Sequence, residues 1–328
     1  MQNKSLRLAL LSFVIFISCL VCAFVSPLPA VYVLRFFFRK GIAKPPKNYA
    51  LIKKQVKIIS NVSYPSMSKR NNLDIYRPLH AESPLPIIIW LHGGAFVGGS
   101  KQDVAIMATV LASQGYAVVC PNYQRAPEAI YPSQIKQIED VYNWLCTQAQ
   151  PLGLDHDRII MAGDSAGAYM AAQFTLIQTN GQYAKNAGFK QIIAPEQLKG
   201  ALLCCGPYNL SLLGRGSNKI VNYFIKMAAW AYMGTSDWLE EFGALGTIKD
   251  HLTGDFPPTF LTDGNLFSFE DHGKDLANAL DASNVPVTTF FIAKSKNLTR
   301  HEYQFIMNQP SAEDALRTML AFLKSVAF

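Results

Sequence analysis

Acidic residues are missing from the first 60 positions, where no Asp or Glu stands against ten Lys or Arg. The formal charge of +7 therefore belongs to that segment, because the remaining residues carry 20 basic against 23 acidic side chains. Zinc-finger spacing, RNP-like runs and a basic–aromatic sheet pattern are all absent, so nucleic acid is not an expected partner. Cysteine is sparse: Cys19, Cys22, Cys120, Cys146, Cys204 and Cys205 show no disulfide-framework spacing. Internal repeats and low-complexity tracts are also lacking. What remains is a chain of 328 residues, half of them hydrophobic, long enough to bury one large α/β core.

Long uncharged runs are rare, with one exception. Lys4 and Arg7 precede an almost wholly apolar stretch at residues 8–25. As a helix those residues would span roughly 27 Å, close to the hydrocarbon thickness of about 30 Å. A cleaved signal peptide has a shorter apolar region ending at small residues, and no A-x-A site follows here. Residues 1–45 are therefore expected to form an N-terminal membrane anchor, in contact with lipid through residues 8–40. The aromatic and basic residues 31–40 would lie at the interface. Secretion after signal cleavage is the alternative. Arg35, Arg39, Lys40, Lys44 and Lys47 outweigh Lys4 and Arg7, a balance that favours a cytoplasmic-facing domain.

Residues 46–328 read as the main domain. Strands are expected at residues 55–64 and 73–76, and the continuous apolar run at 86–91 fits a strand buried on both faces. From there strands (116–120, 158–162, 198–205, 259–261, 285–291) alternate with helices (103–113, 131–148, 271–280, 312–326). That order implies a mostly parallel sheet flanked by helices. Residues 181–197 read as a loop-rich connection. Residues 207–256 read as an insertion with scattered aromatics, placed where it would cap a pocket.

Gly163-Asp164-Ser165-Ala166-Gly167 lies between an apolar strand and a small-residue helix, as a G-x-S-x-G nucleophile elbow requires. In so tight a turn a side chain at either glycine would collide with its neighbours, and the serine hydroxyl is left exposed. His92-Gly93-Gly94-Ala95-Phe96 follows the buried run about 70 residues earlier. Amides there and at Ala166 can stabilise the oxygen of an attacked ester carbonyl by about 3–4 kcal/mol per donor. The expected donors are Gly94, Ala95 and Ala166, with Gly93 a further candidate. A serine also needs a base. Of six histidines, His301 alone follows the last predicted strand, where it would meet Ser165 across adjacent strand ends.

These motifs, with Asn122-Tyr123-Gln124-Arg125-Ala126-Pro127-Glu128 and Tyr131-Pro132, occur in the order found in the α/β-hydrolase superfamily. The chain resembles its hormone-sensitive-lipase-like esterases over residues 50–328. With the readings above, the expected architecture is an α/β-hydrolase fold with a helical cap, behind an N-terminal hydrophobic anchor helix. The resemblance also implies carboxylic-ester hydrolysis, the order Ser…Asp/Glu…His, and no cofactor. One element departs from it. The family has G-x-x-D after the penultimate strand, and here Phe267 stands at the acid position. Asp263, before the glycine, and Glu270, beyond it, are the two candidates for the acid. Asp271 reads as a first-turn helix charge, with Ser268 as N-cap. No metal site is expected, and Asp155 and Asp157 read as turn residues.

A serine carboxylic-ester hydrolase acting through Ser165 on a small-molecule or lipid ester is thus expected. A lipase or deacetylase working on a membrane-associated substrate, and a non-catalytic binding module on the same fold, are the competing readings.

Overall fold

The computed structural model describes residues 12, 24–81 and 84–328. The apolar stretch at residues 8–25 lies almost wholly outside them. Among the described residues no helix is long and apolar enough to cross a membrane.

Eight strands form one sheet: β1 (Val56–Ser63), β2 (Asn72–Pro78), β3 (Leu85–Leu91), β4 (Ala117–Pro121), β5 (Leu154–Asp164), β6 (Leu198–Cys204), β7 (Thr259–Asp263) and β8 (Val287–Phe291). The order across the sheet is β1-β2-β4-β3-β5-β6-β7-β8. The first two pairings are antiparallel and the rest parallel. The α-helices are α1 (Leu28–Phe37), α2 (Tyr49–Lys54), α3 (Ala105–Ser113), α4 (Ser133–Leu152), α5 (Ala166–Thr179), α6 (Gly181–Asn186), α7 (Lys219–Met233), α8 (Trp238–Gly246), α9 (Glu270–Ala282) and α10 (Pro310–Ala327).

The two-faced burial of β3 shows why its sequence is apolar throughout. Ile87, Ile89 and Leu91 join the core packed by α4 and α5, while Ile88 and Trp90 join the core under α3 and α10. A strand with period-two side chains and helices on both faces has no position for a polar residue. Each fully buried isoleucine contributes about 1.5–3 kcal/mol of transfer free energy. Gly153, at φ 66°, ends α4 and starts β5 four residues earlier than the apolar run alone suggests. The connection at 181–197 carries a short helix, α6, whose N-terminus is capped by the Asn180 side chain.

Parallel pairing aligns the carboxyl ends of the strands. Leu91 pairs with Gly163, and Asp164 pairs with Cys204. The segments after β3, β5, β7 and β8 therefore emerge at one edge of the sheet, where open α/β sheets bind ligands. The insertion at 207–256 folds as α7 and α8 with short 3-10 turns.

The segment at 31–40 also packs on the main domain. In α1, Ala30 and Val31 are buried, and the helix packs against α7. Arg35 turns inward, donating from Nε to the Val97 carbonyl at 2.7 Å and from a guanidinium nitrogen to the Ala126 carbonyl at 2.9 Å. It also pairs with Glu128 at 2.8 and 2.5 Å. Hydrophobic packing on one side and those two carbonyl acceptors on the other fasten α1 to the main domain. Tyr32, Phe36 and Phe37 of this helix remain exposed.

Candidate active site

Ser165 sits at the tip of the β5–α5 turn with φ 51° and ψ −119°, a conformation that non-glycine residues rarely adopt. Such strain persists only where the surroundings impose it. Here Gly163 and Gly167 impose it by close packing: a Cβ on Gly163 would overlap the Gly167 backbone, and one on Gly167 would overlap the Leu91 carbonyl. The Ser165 amide is anchored to the Cys204 carbonyl at 2.8 Å.

His301 lies in the loop between β8 and α10, and its Nε2 is 2.9 Å from Ser165 Oγ. The structure thus brings together the serine and the histidine singled out by sequence. Burial pulls the imidazole down to about 4, so the ring is neutral near pH 7 and its Nε2 is free to accept the serine proton.

The other end of that ring faces neither candidate carboxylate directly. His301 Nδ1 is 2.7 Å from Ser268 Oγ, and the same hydroxyl donates to Asp263 Oδ1. Glu270 is not brought to the imidazole: its carboxylate pairs with Lys274 at 2.9 Å, one turn along α9. Its position in the first turn of that helix commits it to the i,i+4 partner. Ser268 is not the N-cap of α9 either, because Phe269 occupies that position and makes no side-chain cap. Asp263 is buried at the end of β7, where desolvation pushes it up to about 7.

On the opposite side, Ala95 and Phe96 both hold positive φ, 51° and 63°, so the loop after β3 curls over the serine. Among the described residues, the amides of Gly94, Ala95 and Ala166 donate to no protein acceptor. Gly93 differs from expectation. Its amide is committed to Asp164 Oδ2 at 2.7 Å and is not available to a substrate oxygen. The His92 ring stacks on Tyr123 at 4.2 Å, and burial pulls it down to about 3, which leaves it a neutral structural group. Tyr123 Oη donates to the His92 carbonyl at 2.8 Å, and the Ala126 amide to that of Phe96 at 3.0 Å. The Asn122–Glu128 stretch braces the loop in this way.

Two residues beneath the site carry no signal in the one-dimensional pattern. Asp164 accepts from Trp90 Nε1 at 2.8 Å as well as from Gly93, and shares a hydrogen bond with Glu302. Glu302 Oε1 is also 3.7 Å from His301 Nε2. Burial, then the neighbouring Asp164, hold Glu302 well above the usual carboxylate range, while burial pushes Asp164 up to about 6. A hydrogen bond between two carboxyl groups requires a proton on one of them.

A cavity of about 780 Å³ opens onto Ser165. Val33 and Phe37 of α1, Val221 and Ile225 of α7, and Phe269 give it a largely apolar wall. Such a lining suits the hydrocarbon part of an ester better than a highly charged group.

The BD-FAE family model matches residues 73–265. The chain is 31% identical over 145 residues, 44% of its length and 34% of the relative's, to a probable isoprenylcysteine alpha-carbonyl methylesterase from Oryza sativa subsp. japonica. It is 23% identical over 218 residues, 62% of each chain, to an esterase from Fusarium pseudograminearum (strain CS3096). The matches span between 29% and 50% of the length of the plant methylesterase relatives. Among solved structures, esterase B from Lactobacillus Rhamnosis (HN001) superposes with a TM-score of 0.73 at 22% identity, covering 100% of this chain and 97% of that one. At that identity the likeness is one of fold. Matched over more than half its length by the family model, the chain belongs to the BD-FAE family and carries an α/β-hydrolase fold.

Proposed function

We propose that this protein is a serine carboxylic-ester hydrolase, a reading carried by the 2.9 Å contact between Ser165 Oγ and His301 Nε2. Esterases and a methylesterase among its relatives support ester hydrolysis as the reaction class. His301 Nε2 takes the hydroxyl proton as Ser165 Oγ attacks the carbonyl carbon. The amides of Gly94, Ala95 and Ala166 hold the resulting oxyanion. The alcohol leaves with the proton from His301, and Ser165 retains the acyl group. Water, deprotonated by the same nitrogen, then releases the acid and restores the serine.

The substrate is a small-molecule or lipid ester whose apolar part fills the cavity beside α1 and α7. The apolar stretch at 8–25 and the basic excess around it favour membrane attachment with a cytoplasmic-facing domain. Exposed Tyr32, Phe36 and Phe37 would then face lipid beside the cavity, which supports a membrane-associated substrate. Hydrolysis of acetyl, octanoyl and palmitoyl p-nitrophenyl esters by the full chain tests the reading. Activity that survives Ser165→Ala would overturn it. Carbonate extraction and protease protection of membranes test the attachment and its side.

A further inference from the structure

The family's acid position holds Phe267, whose ring is exposed and whose backbone adopts φ 52°. That positive φ turns the loop after β7 so that the next residue, Ser268, faces inward. The loop is fastened to the one carrying His301. Asn265 Nδ2 donates to the carbonyls of Ile292 and Asn297, both at 2.8 Å, and the Leu266 amide donates to the Thr299 carbonyl at 3.0 Å. The Thr299 amide returns a bond to Asn265 Oδ1 at 3.1 Å. Phe269 adds an edge-to-face contact with the imidazole at 5.5 Å. Ser268 Oγ is thereby held 2.7 Å from His301 Nδ1 and in contact with Asp263 Oδ1. Asp263 and the ring lie within 4.8 Å of each other without a direct hydrogen bond.

The geometry points to Ser268 as a positioning residue that bridges His301 to Asp263, so that the acid acts through a hydroxyl rather than on the imidazole itself. This rests on the serine-hydrolase reading. Donor and acceptor rules fix the direction of the chain. For Ser165 to give its proton to Nε2, that nitrogen must be bare, so the neutral ring carries its proton on Nδ1. Nδ1–H then donates to Ser268 Oγ, whose own proton must go elsewhere. An ionised Asp263 only accepts, and it takes that proton as a hydrogen bond. The opposite polarity, Ser268 donating to Nδ1, would leave the proton on Nε2 and a ring unable to activate Ser165. Asp263 therefore selects the productive tautomer from one residue away. No proton leaves the relay during turnover: Nδ1 and Ser268 keep theirs and Asp263 stays ionised while Nε2 is loaded and unloaded. When Nε2 is loaded, the imidazolium is stabilised through the same hydroxyl.

The test uses the full chain and combines kinetics with nitrogen NMR of His301. Ser268→Ala and Asp263→Asn are each expected to lower kcat by about 100-fold or more, as loss of tautomer control does elsewhere, with KM little changed. The double variant should fall no further than the less active single, because both changes cut one chain. Ser268→Thr, which keeps the hydroxyl, should recover most of the activity. The His301 resonances should report Nδ1–H in the unmodified protein and a shift towards Nε2–H in Asp263→Asn. Additive losses, or a Ser268→Ala protein that matches the unmodified one in kcat and tautomer, would overturn the relay. Should Ser268→Ala fail to fold, an unmoved tautomer in Asp263→Asn would overturn the relay by itself. A moved tautomer together with an active Ser268→Thr would support it. An unmodified protein that does not react with a fluorophosphonate probe overturns the serine-hydrolase reading itself, and the relay with it.

Discussion

Asp164, the residue before Ser165, and Glu302, the residue after His301, share a hydrogen bond beneath the Ser165–His301 contact. The two carboxyl groups are pressed together by β5 and the loop after β8. Around them stand Trp90, the Gly93 amide, His301 and, farther off, Asp103 and Asp263. Both carboxyls are raised above their ordinary values, chiefly by burial.

Raised acids fix the sign of a pH effect on stability. The folded state keeps protons that the unfolded chain releases near pH 4, so the stabilisation is complete below that pH. It is lost as pH rises through about 6, the value for Asp164, and the raised Glu302 acts in the same direction. Thermal unfolding should therefore show a falling Tm between pH 5 and 8. Glu302→Gln keeps a donor for Asp164 without an ionisable group, and should raise Tm at pH 8 by roughly 2–4 °C, as about 1 kcal/mol does in a domain of this class. A slope identical to that of the unmodified protein would refute the shared proton.

The activity profile should follow Asp263 rather than His301. His301 is pulled down to about 4, and is already a free base at pH 6. Asp263 is pushed up to about 7 by burial among Cys205, Tyr208, Tyr303 and Glu302; the thiol and the phenols are raised and neutral near pH 7, and Glu302 is raised as well. The ascending limb of kcat/KM should therefore centre near pH 7. Asp263→Asn should flatten it at a low level, while Glu270→Gln should leave both limb and kcat within about twofold, since an i,i+4 pair on a helix surface contributes little. An unaltered limb in Asp263→Asn would assign the titration elsewhere.

Arg35 ties α1 to the oxyanion loop through the Val97 and Ala126 carbonyls. Arg35→Ala removes the donor from each, and an orphaned partly buried carbonyl costs about 1–3 kcal/mol. Urea unfolding should show a loss of that size together with a lower kcat, because the loop that holds Gly94 and Ala95 is freed. Arg35→Lys should recover only part, as an ammonium cannot reproduce the planar fork. Stability within about 0.5 kcal/mol of the unmodified protein would show that the clamp is idle.

The parts of this molecule that can be read from sequence are those fixed by neighbours along the chain. The run at 86–91 is apolar because helices cover both its faces, and the glycines around Ser165 are dictated by a turn five residues long. The parts that cannot be read depend on side chains meeting across loops. Ser268 reads as a helix cap because its sequence context fits one, and only the pairing of its loop with the His301 loop turns the hydroxyl towards the imidazole. Arg35 reads as an interfacial cation because nothing in the pattern shows the two carbonyls it faces. Gly93 reads as an oxyanion donor, yet Asp164 holds its amide. The three cases share one cause: a hydrogen-bond partner distant in sequence outcompetes the local role.

Whether Ser165 is the nucleophile can be asked of the full chain by intact mass and peptide mapping after treatment with a fluorophosphonate. A single adduct on Ser165 is expected, formed rapidly near neutral pH and absent from Ser165→Ala. No adduct, or an adduct on any other residue, would refute the assignment.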